Sequence, residues 1–245
     1  MAELEVSGLC RRFGGLVALQ DVSFTLSRGE ILGIIGPNGA GKTTFINLVT
    51  GVYAPTSGRI LFNGRDITRM PAHQRARSGI SRTFQIIHPL ESLNVLENVM
   101  LGFLFSQRMG QREARRAAEA LCGSLGLRDP ERDVAQVTML ELKKMEIAHA
   151  LANDPAVLFL DEVMAGLNAD ETRDLVALVQ AIARERTIGI GVVEHVMSVI
   201  RDLTHRVIVL EAGEIIAAGP YETVASDPRV IAAYLGGSFS SPGAR

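Results

Sequence analysis

The sequence predicts an α/β fold with one large domain. Two observations support this fold class. First, apolar runs of strand length, such as ILGIIG at 31–36 and AVLFL at 156–160, are typical of buried parallel strands. Second, residues from about 92 to 153 have almost wholly helical spacing, so a helical insertion separates two pieces of one α/β core. The length of 245 residues suffices for such a domain.

The first segment of the chain has the pattern of β-strands. Val22, Phe24 and Leu26 alternate with other residues and therefore share one face of a strand. Short strands also fit residues 4–8 and 59–62, and an Asn-Gly pair after the latter favours a hairpin turn. We therefore expect an N-terminal antiparallel β subdomain ahead of the α/β core.

The second piece of the core starts near residue 156. Its three apolar runs, AVLFL, IGIGVV and RVIVL, have strand length, and helical stretches separate the first two. The final SFSSPGAR is typical of a loose tail. We expect one domain over residues 1–236, a helical subdomain inserted at about 86–153, and a flexible tail at 237–245.

The composition argues against several classes of function. A net charge of −2 with 21% charged residues gives no global basic field, so it does not favour nucleic-acid binding. The mean hydropathy is +0.20, yet no apolar run approaches the ~20 residues that a membrane helix requires. The N-terminus MAELEVSGL lacks the pattern of a signal peptide. Two cysteines without paired spacing suit a reducing cytosol, and five histidines show no zinc-ligand spacing.

A phosphate-binding loop is predicted at residues 36–43. Its sequence GPNGAGKT fits G-x-x-x-x-G-K-[ST] between a strand-like run and a helix-compatible run. Glycines let backbone N–H groups surround an anion, and the helix N-terminus adds partial positive charge. Lys42 is expected to reach the β- and γ-phosphates of a nucleotide, and the Thr43 hydroxyl to bind Mg²⁺. The predicted nucleotide contacts in this segment are Gly36, Pro37, Asn38, Gly39, Ala40, Gly41, Lys42, Thr43 and Thr44.

Two carboxylates follow the apolar strand in VLFLDE, residues 157–162. Asp161 can hold Mg²⁺ through a water molecule. Glu162 can polarise an attacking water as a general base. Acidic residues often begin the loop after a strand, so the upstream phosphate loop is what makes the hydrolytic interpretation specific.

Two further polar residues follow predicted strands. His195 comes just after the run 188–193, and the carboxyl ends of parallel strands line the ligand crevice of such sheets. This histidine can therefore contact the γ-phosphate and orient the water. Gln85 follows the strand-like ISRTF and can ligate Mg²⁺ or the water through its amide oxygen. In isolation, an ordinary surface or core role is favoured for His195, and Gln85 by itself indicates no function.

The order of these motifs resembles that of the nucleotide-binding subunit of an ABC transporter, over nearly the whole chain. Within that family the chain is most similar to the ATPases of branched-chain amino-acid-type importers. The finer similarity is carried by FGGLVAL (13–19), GPNGAGKTTFINLVTG (36–51), LNVLENV (93–99), DEVMAGLN (161–168), EHVM (194–197) and AAGPYETVASDPRVIAAYLG (217–236).

This resemblance implies a fold, an activity and partners. The implied fold is a P-loop NTPase (RecA-like) core with an N-terminal antiparallel β subdomain and an inserted α-helical subdomain. The implied activity is ATP hydrolysis with Mg²⁺ that drives uptake of branched-chain or other amino acids. The implied partners are two transmembrane permease subunits, a second ATPase subunit and, indirectly, a solute-binding protein, with no nucleic acid. The implied location is peripheral, at the cytoplasmic face of the cell membrane.

Two alternative functions stay open at this point. Exporters and lipid-extraction systems have similar nucleotide domains, so an ATPase of that kind is one alternative. A non-transport ABC protein acting in DNA repair or translation is the other. The sequence disfavours the second alternative, because it has no long coiled-coil insertion, no second nucleotide domain and no strong basic patch.

The resemblance also implies roles for three further regions. Phe13 corresponds to an aromatic that stacks on adenine, although a core phenylalanine of the first sheet fits equally well. Residues 85–105 correspond to part of a groove that accepts a coupling helix of a membrane subunit, or form a routine core helix. AGLN corresponds to a loop that crosses to the other ATPase subunit, with Asn168 in place of the usual aspartate and Val163 in place of the usual proline.

VTMLE, residues 137–141, departs most from the family pattern. There an LSGGQ-like signature at a helix start presents donors to the γ-phosphate bound by the other subunit. Thr138 retains a hydroxyl and is a candidate nucleotide contact, but Leu140 replaces a glycine. Glu141 adds a negative charge near a polyphosphate, which costs about 4 kcal/mol at ~4 Å and an effective dielectric of ~20. His149 replaces the usual arginine of that helix.

This departure affects the two ATP sites of a dimer differently. The site on the chain's own phosphate loop is predicted to be complete, whereas the surface offered to the partner's ATP is weakened. One hypothesis is a heterodimer with a different ATPase subunit that has a stronger signature. The alternative is a homodimer in which Thr138 and the backbone suffice.

Overall fold

The computed structural model describes residues 2–83 and 89–236. Its strands are β1 (Ala2–Phe13), β2 (Leu16–Ser27), β3 (Ile31–Ile35), β4 (Ser57–Phe62), β5 (Arg65–Asp66), β6 (Ile80–Arg82), β7 (Val157–Asp161), β8 (Gly189–Val193), β9 (Arg206–Glu211) and β10 (Glu214–Gly219). Its helices are α1 (Lys42–Val49), α2 (Ala72–Ser78), α3 (Val95–Ser106), α4 (Gln111–Ser124), α5 (Met139–Leu151), α6 (Ala169–Arg186), α7 (Met197–Leu203), α8 (Tyr221–Ala225) and α9 (Pro228–Gly236). Gln85 and the predicted tail at 237–245 lie outside the described residues.

The strands form two sheets. A four-stranded antiparallel sheet has the order β2-β1-β4-β5, and a six-stranded sheet has the order β10-β9-β3-β8-β7-β6. In the larger sheet β9, β3, β8, β7 and β6 run parallel, and β10 pairs antiparallel with β9 at one edge. The prediction of an α/β core preceded by an antiparallel β-sheet is confirmed.

The central strands of the larger sheet are apolar along their whole length because both of their faces are covered. Every residue of β3, β7 and β8 is buried. Gly191 on β8 is required by close packing, since a Cβ there would lie 2.5 Å from the Phe159 ring on β7. These runs therefore lack the alternation seen in half-exposed strands.

The smaller sheet shows the predicted alternation. Val22, Phe24 and Leu26 on β2 are buried between exposed neighbours. β1 is longer than the predicted strand because it pairs with β2 on one side and β4 on the other. Asn63 and Gly64 connect β4 to β5 with φ values of 50° and 73°, as the predicted two-residue hairpin turn requires.

Three hydrophobic clusters of described residues include strands of the larger sheet, and the smallest joins β3 and β9 to α7, α8 and α9. Helix α1 lies between the two sheets, where its Phe45 and Ile46 pack against residues of both. On the opposite face, α3, α4, α5 and α6 share one core with residues of β7 and β8. The predicted helical insertion thus contains α3, α4 and α5, with a short 3-10 helix at Val134–Gln136. Its description as a separate subdomain stays a prediction.

Helix α2 was not anticipated from the sequence. Its Arg75 is fully buried and donates to the Leu48 and Val49 carbonyls at 2.7 Å, which satisfies acceptors at the end of α1. Burial lowers the pKa of Arg75 to about 10. Within the described ranges, no helix is both long and apolar enough to span a bilayer.

Candidate functional site

The predicted phosphate loop joins β3 to α1 at the carboxyl edge of the larger sheet. Gly41 has a φ of 105°, and a Cβ there would lie 2.8 Å from the Ala18 carbonyl oxygen. Both the backbone conformation and the close approach to β2 therefore require glycine. Among the described residues no side chain caps α1, so the first N–H groups of this helix are available to an anion.

The Lys42 side chain is held inside its own loop. Its Nζ donates to the Gly36 carbonyl oxygen at 2.7 Å and to the Pro37 carbonyl oxygen at 3.1 Å. Burial lowers the pKa of Lys42, while Glu162 and Asp161 raise it. The Lys42 ammonium is thus held by loop carbonyls, and the charges of Glu162 and Asp161 favour its protonated form.

Asp161 is the last residue of β7 and is only 2% exposed. Its backbone N–H donates to the Thr83 hydroxyl at 3.1 Å, and its carboxylate lies 3.3 Å from Arg82 Nη2. Burial raises the pKa of Asp161, and Arg82 is the largest influence that lowers it. The carboxylate is therefore fixed by neighbours on the strand to its side.

Glu162 and His195 form a contact between the ends of two adjacent strands. Glu162 Oε1 and His195 Nε2 are 2.8 Å apart. Glu162 has a φ of 52°, uncommon for a non-glycine residue, and its N–H donates to the Val193 carbonyl oxygen at 2.9 Å. Strained backbone of this kind concentrates at functional sites, where surrounding contacts enforce it.

These groups line one cleft of about 590 Å³. Besides Glu162 and His195, its lining residues are Phe13, Leu16, Val17, Ala18, Asn38, Gly39, Ala40, Gly41, Lys42, Thr43, Thr44 and Ala212. Asp161 lies directly beside Glu162, and the loop residues Gly36 and Pro37 bind the Lys42 ammonium. The predicted site residues are thus brought together, except for Gln85, which lies outside the described residues, and Thr138, which lies at the start of α5.

Phe13 lies at the mouth of this cleft rather than in a core. It is 37% exposed, and the Arg11 guanidinium lies 4.4 Å from its ring centroid. Tyr53 meets the ring edge-on at 5.3 Å. Because Arg11 covers one face of the ring, an adenine can stack only on the opposite face.

The donor set of the cleft fits a nucleotide polyphosphate with Mg²⁺. Loop N–H groups and the Lys42 ammonium are phosphate donors. The exposed Thr43 hydroxyl and the Asp161 carboxylate are the oxygen ligands that Mg²⁺ prefers, and Mg²⁺ usually takes few protein ligands beside substrate phosphates.

Helix α5 begins with a closed capping box. The Thr138 hydroxyl accepts from the Glu141 N–H at 3.3 Å, and Glu141 Oε2 accepts from the Thr138 N–H at 2.9 Å. Arg132 donates to the other carboxylate oxygen at 2.5 Å. The hydrogen bond from the Thr138 N–H is the largest cause of a lowered pKa at Glu141. The Glu141 carboxylate therefore folds back over the start of its own helix.

The two side chains between these residues differ in exposure. Leu140 is partly buried and packs against the large core. Met139 is exposed, at 46%. The weakened surface expected at residues 137–141 stays a prediction.

Several residues of the site were missed by the sequence interpretation. Arg82 contacts Asp161, and its only sequence signal is a charged residue at the end of an otherwise uncharged strand, ISR. Glu194 is buried and accepts from the Met164 N–H at 2.9 Å, which fixes the segment after Glu162. Its signal was a carboxylate directly after a buried strand. Asn168, interpreted as part of an intersubunit loop, caps α6.

A second, mostly apolar cavity of about 680 Å³ lies beside the first. It is bordered by α2, β6, α3 and α5, and we call it the groove. The predicted segment 85–105 contributes Pro89, Leu90, Asn98 and Leu101, and residues 85–88 lie outside the described residues. Arg82, Glu146, His149 and Asn153 are polar residues of the groove wall.

Comparison with known proteins places the chain. The sequence profile described as "ABC transporter" matches residues 19–165, more than half of its length. The chain belongs to the ABC transporter family. A second profile, described as "Branched-chain amino acid ATP-binding cassette transporter", matches residues 214–240. The predicted family is confirmed, and with it the expectation of an ABC-type ATPase.

Relatives in this family span nearly the whole chain. The high-affinity branched-chain amino acid transport ATP-binding proteins BraF of Pseudomonas aeruginosa and LivG of Escherichia coli K12 are each 36% identical over 95% of the chain and 97% of their own length. A probable branched-chain amino acid transport ATP-binding protein LivG of Archaeoglobus fulgidus is 33% identical over 98% of both.

Solved ABC cassettes have the same fold. A nucleotide-free ATP-binding cassette from an ABC transporter superposes with a TM-score of 0.88 at 28% identity, covering 96% of this chain and 99% of that one. A cassette in its ADP conformation gives 0.86 at 29% identity, with the same coverage. A dimeric cassette with ADP and Pi gives 0.78 at 25% identity, covering 89% and 98%. These neighbours confirm the P-loop NTPase fold.

Proposed function

We propose that this chain is the ATP-hydrolysing subunit of an ABC importer for branched-chain amino acids. Two lines of similarity support the solute class: relatives named for that transport at 36% identity, and a matching profile at the C-terminal end. The observation that carries the chemistry is the 2.8 Å contact between Glu162 and His195 beside the phosphate loop.

In this proposal the chain binds ATP through groups that already face the cleft. The N–H groups at the start of α1 and the Lys42 ammonium hold the phosphates. Phe13 stacks on the adenine through the ring face opposite Arg11. Thr43 and Asp161 hold Mg²⁺, which when bound neutralises charge on the phosphate oxygens. Gln85 is proposed as a further ligand from its sequence position alone.

Hydrolysis depends on Glu162 and His195. The Glu162 carboxylate accepts a proton from the attacking water as general base. His195 keeps the carboxylate oriented, because its ring nitrogen lies at hydrogen-bond distance from Glu162 Oε1, and it contacts the γ-phosphate. The backbone bond from Glu162 to Val193 fixes the strained conformation that aims this side chain into the cleft.

The proposed partners follow from the two cavities and from α5. The groove accepts a coupling helix of one of the two permease subunits, since it is mostly apolar and is bordered by α3. A second ATPase subunit completes the cleft, as supported by the dimeric solved relative. The closed capping box at α5 favours a heterodimer in which the partner supplies the stronger signature. The assembly lies at the cytoplasmic face of the membrane and receives its solute from a binding protein.

Uptake of radiolabelled leucine tests this function directly. Deleting the gene is expected to abolish saturable leucine uptake, and the wild-type chain is expected to restore it. Glu162→Gln is expected not to restore uptake, whereas Glu185→Gln, which changes an exposed glutamate of α6, serves as the matched control. Unchanged leucine uptake in the deletion strain would sink the proposal, and recovery of exporter components with the purified chain would favour the alternative class.

A further inference from the structure

Arg82 joins three elements of the fold: β6, which carries it, β7 and α1. From the end of β6, its Nη2 lies 3.3 Å from Asp161 Oδ2 on β7. Its Nη1 donates to Asn47 Oδ1 on α1 at 2.6 Å, and its Nε donates to the Thr83 carbonyl oxygen at 3.2 Å. The guanidinium therefore ties the Mg²⁺-binding strand to the helix that follows the phosphate loop.

The same side chain faces the groove. Arg82 and Glu146 of α5 both border this cavity, while the Arg82 side chain is only 10% exposed. Burial lowers the pKa of Arg82, and the charges of Asp161 and then Glu146 raise it. One buried cation thus contacts the Asp161 carboxylate and shares the groove wall with a second carboxylate, Glu146.

A buried guanidinium is costly unless its charge is balanced, and its forked donors can serve two acceptors at once. Asp161 is likewise buried, and the Arg82 guanidinium forms an ion pair with it. When Asp161 binds Mg²⁺, the metal replaces part of the charge balance that Arg82 supplies. The attraction between Arg82 and Asp161 then weakens, and the share of Glu146 grows.

We propose that Arg82 is a positioning residue that balances the charge of Asp161 before Mg²⁺ binds and links that carboxylate to Glu146 on the groove wall. The inference rests on the proposed ATP and Mg²⁺ site. Because coupling between two sites is reciprocal, a permease segment that displaces Glu146 or Arg82 changes how strongly Asp161 holds Mg²⁺. The groove therefore acts on the nucleotide site through one guanidinium.

The test measures the ADP dissociation constant of the full chain by calorimetry, without and with Mg²⁺. The ratio of the first constant to the second reports how strongly Mg²⁺ tightens ADP binding. Arg82→Gln removes the competing cation and is expected to raise the Mg²⁺-dependent ratio about tenfold. Arg82→Lys keeps the charge and is expected to stay within about threefold of the wild type. Arg206→Gln, which removes a guanidinium 2.9 Å from Glu30 in the same sheet, is the matched control and is expected to leave the ratio unchanged.

Glu146→Gln tests the link to the groove and preserves the ion pair between Arg82 and Asp161. Without the Glu146 charge, the Arg82 guanidinium interacts more strongly with Asp161, so the ratio is expected to fall about threefold. This fall is expected to largely vanish in the Arg82→Gln background. An equal ratio in wild type and Arg82→Gln overturns the inference. If the effects of Arg82→Gln and Glu146→Gln on the ratio are additive, the proposed link between Arg82 and Glu146 is overturned. If Arg82→Gln unfolds, an unchanged ratio in Glu146→Gln alone overturns the inference.

The outcomes also separate this inference from the proposed function. A wild-type chain that binds no ADP, or binds it without any influence of Mg²⁺, contradicts the proposed nucleotide site itself. A wild-type chain with normal Mg²⁺-dependent binding, combined with a ratio that Arg82→Gln leaves unchanged, contradicts only the role of Arg82.

Discussion

Helices α1 and α5 begin in opposite ways. No described side chain caps the start of α1, where glycine precedes Lys42. The start of α5 is closed by Thr138 and Glu141, which satisfy each other's backbone N–H groups. Each helix start carries partial positive charge from unpaired N–H groups. At α1 a ligand is needed to satisfy them, whereas at α5 the chain supplies its own carboxylate.

This difference shows how capping distinguishes a binding site from a structural helix end. A capping box stabilises α5 but occupies the Thr138 and Glu141 N–H groups, two of the donors at the helix start. An uncapped start lowers the intrinsic stability of α1 but leaves an anion site ready. The same chain therefore presents one open phosphate site and one self-occupied site, which is the asymmetry expected of a subunit that works with a different partner.

The largest expected effect is a loss of ATP hydrolysis at the site beside α1 with nucleotide binding retained. In a preparation with the partner subunits, Glu162→Gln is expected to lower ATP hydrolysis by about 10²- to 10⁴-fold, since it removes the general base. ADP affinity is expected to change little, because the phosphate donors of α1 remain. Steady-state phosphate release measures the rate, with Glu185→Gln as the control. Residual hydrolysis near the wild-type rate would show that another group activates the water.

The open site could be predicted from sequence because each of its groups follows an apolar strand. Asp161 ends β7, and the phosphate loop, Glu162 and His195 follow β3, β7 and β8. Adjacent parallel strands bring their carboxyl ends together. No long-range information was needed beyond the strand pattern. The fold class followed from the same runs.

The features of the site that the sequence did not predict depend on contacts between separate segments of the chain. Arg82 meets Asp161 across 79 positions of sequence, and no local pattern pairs them. Glu141 lies over its own helix end because Arg132, in the preceding loop, holds its second oxygen. The inward turn of Leu140 likewise depends on the helical core around it. The weakened nucleotide contact expected at residues 137–141 stays a prediction.

The next effect concerns the negative charge at the start of α5. Combining Glu141→Gln with Met139→Gly removes this charge and the exposed side chain, while the glutamine can still accept from the Thr138 N–H. In the Glu162→Gln background, this change is expected to tighten ATP-dependent homodimerisation about tenfold, because it removes a negative charge from the surface that would face the γ-phosphate. Analytical ultracentrifugation with ATP measures the dimer.

Glu97→Gln is the control for this prediction, since Glu97 closes an equivalent capping box on α3. It is expected to leave homodimerisation unchanged. If the unmodified α5 end already supports an ATP-dependent homodimer as tight as that of the double variant, the capping box does not limit assembly. The homodimer alternative would then hold.

The smallest effect compares the same substitution at the two helix starts. Thr138→Ala removes the cap of α5 and is expected to cost about 1 kcal/mol of unfolding free energy in urea, with unchanged ADP affinity. Thr43→Ala removes a hydroxyl that caps nothing in α1, so stability is expected to change by less than about 0.5 kcal/mol. The Mg²⁺-dependent part of ADP affinity is expected to fall instead. An equal loss of stability in both variants would mean that α1 and α5 do not differ in how their first N–H groups are satisfied.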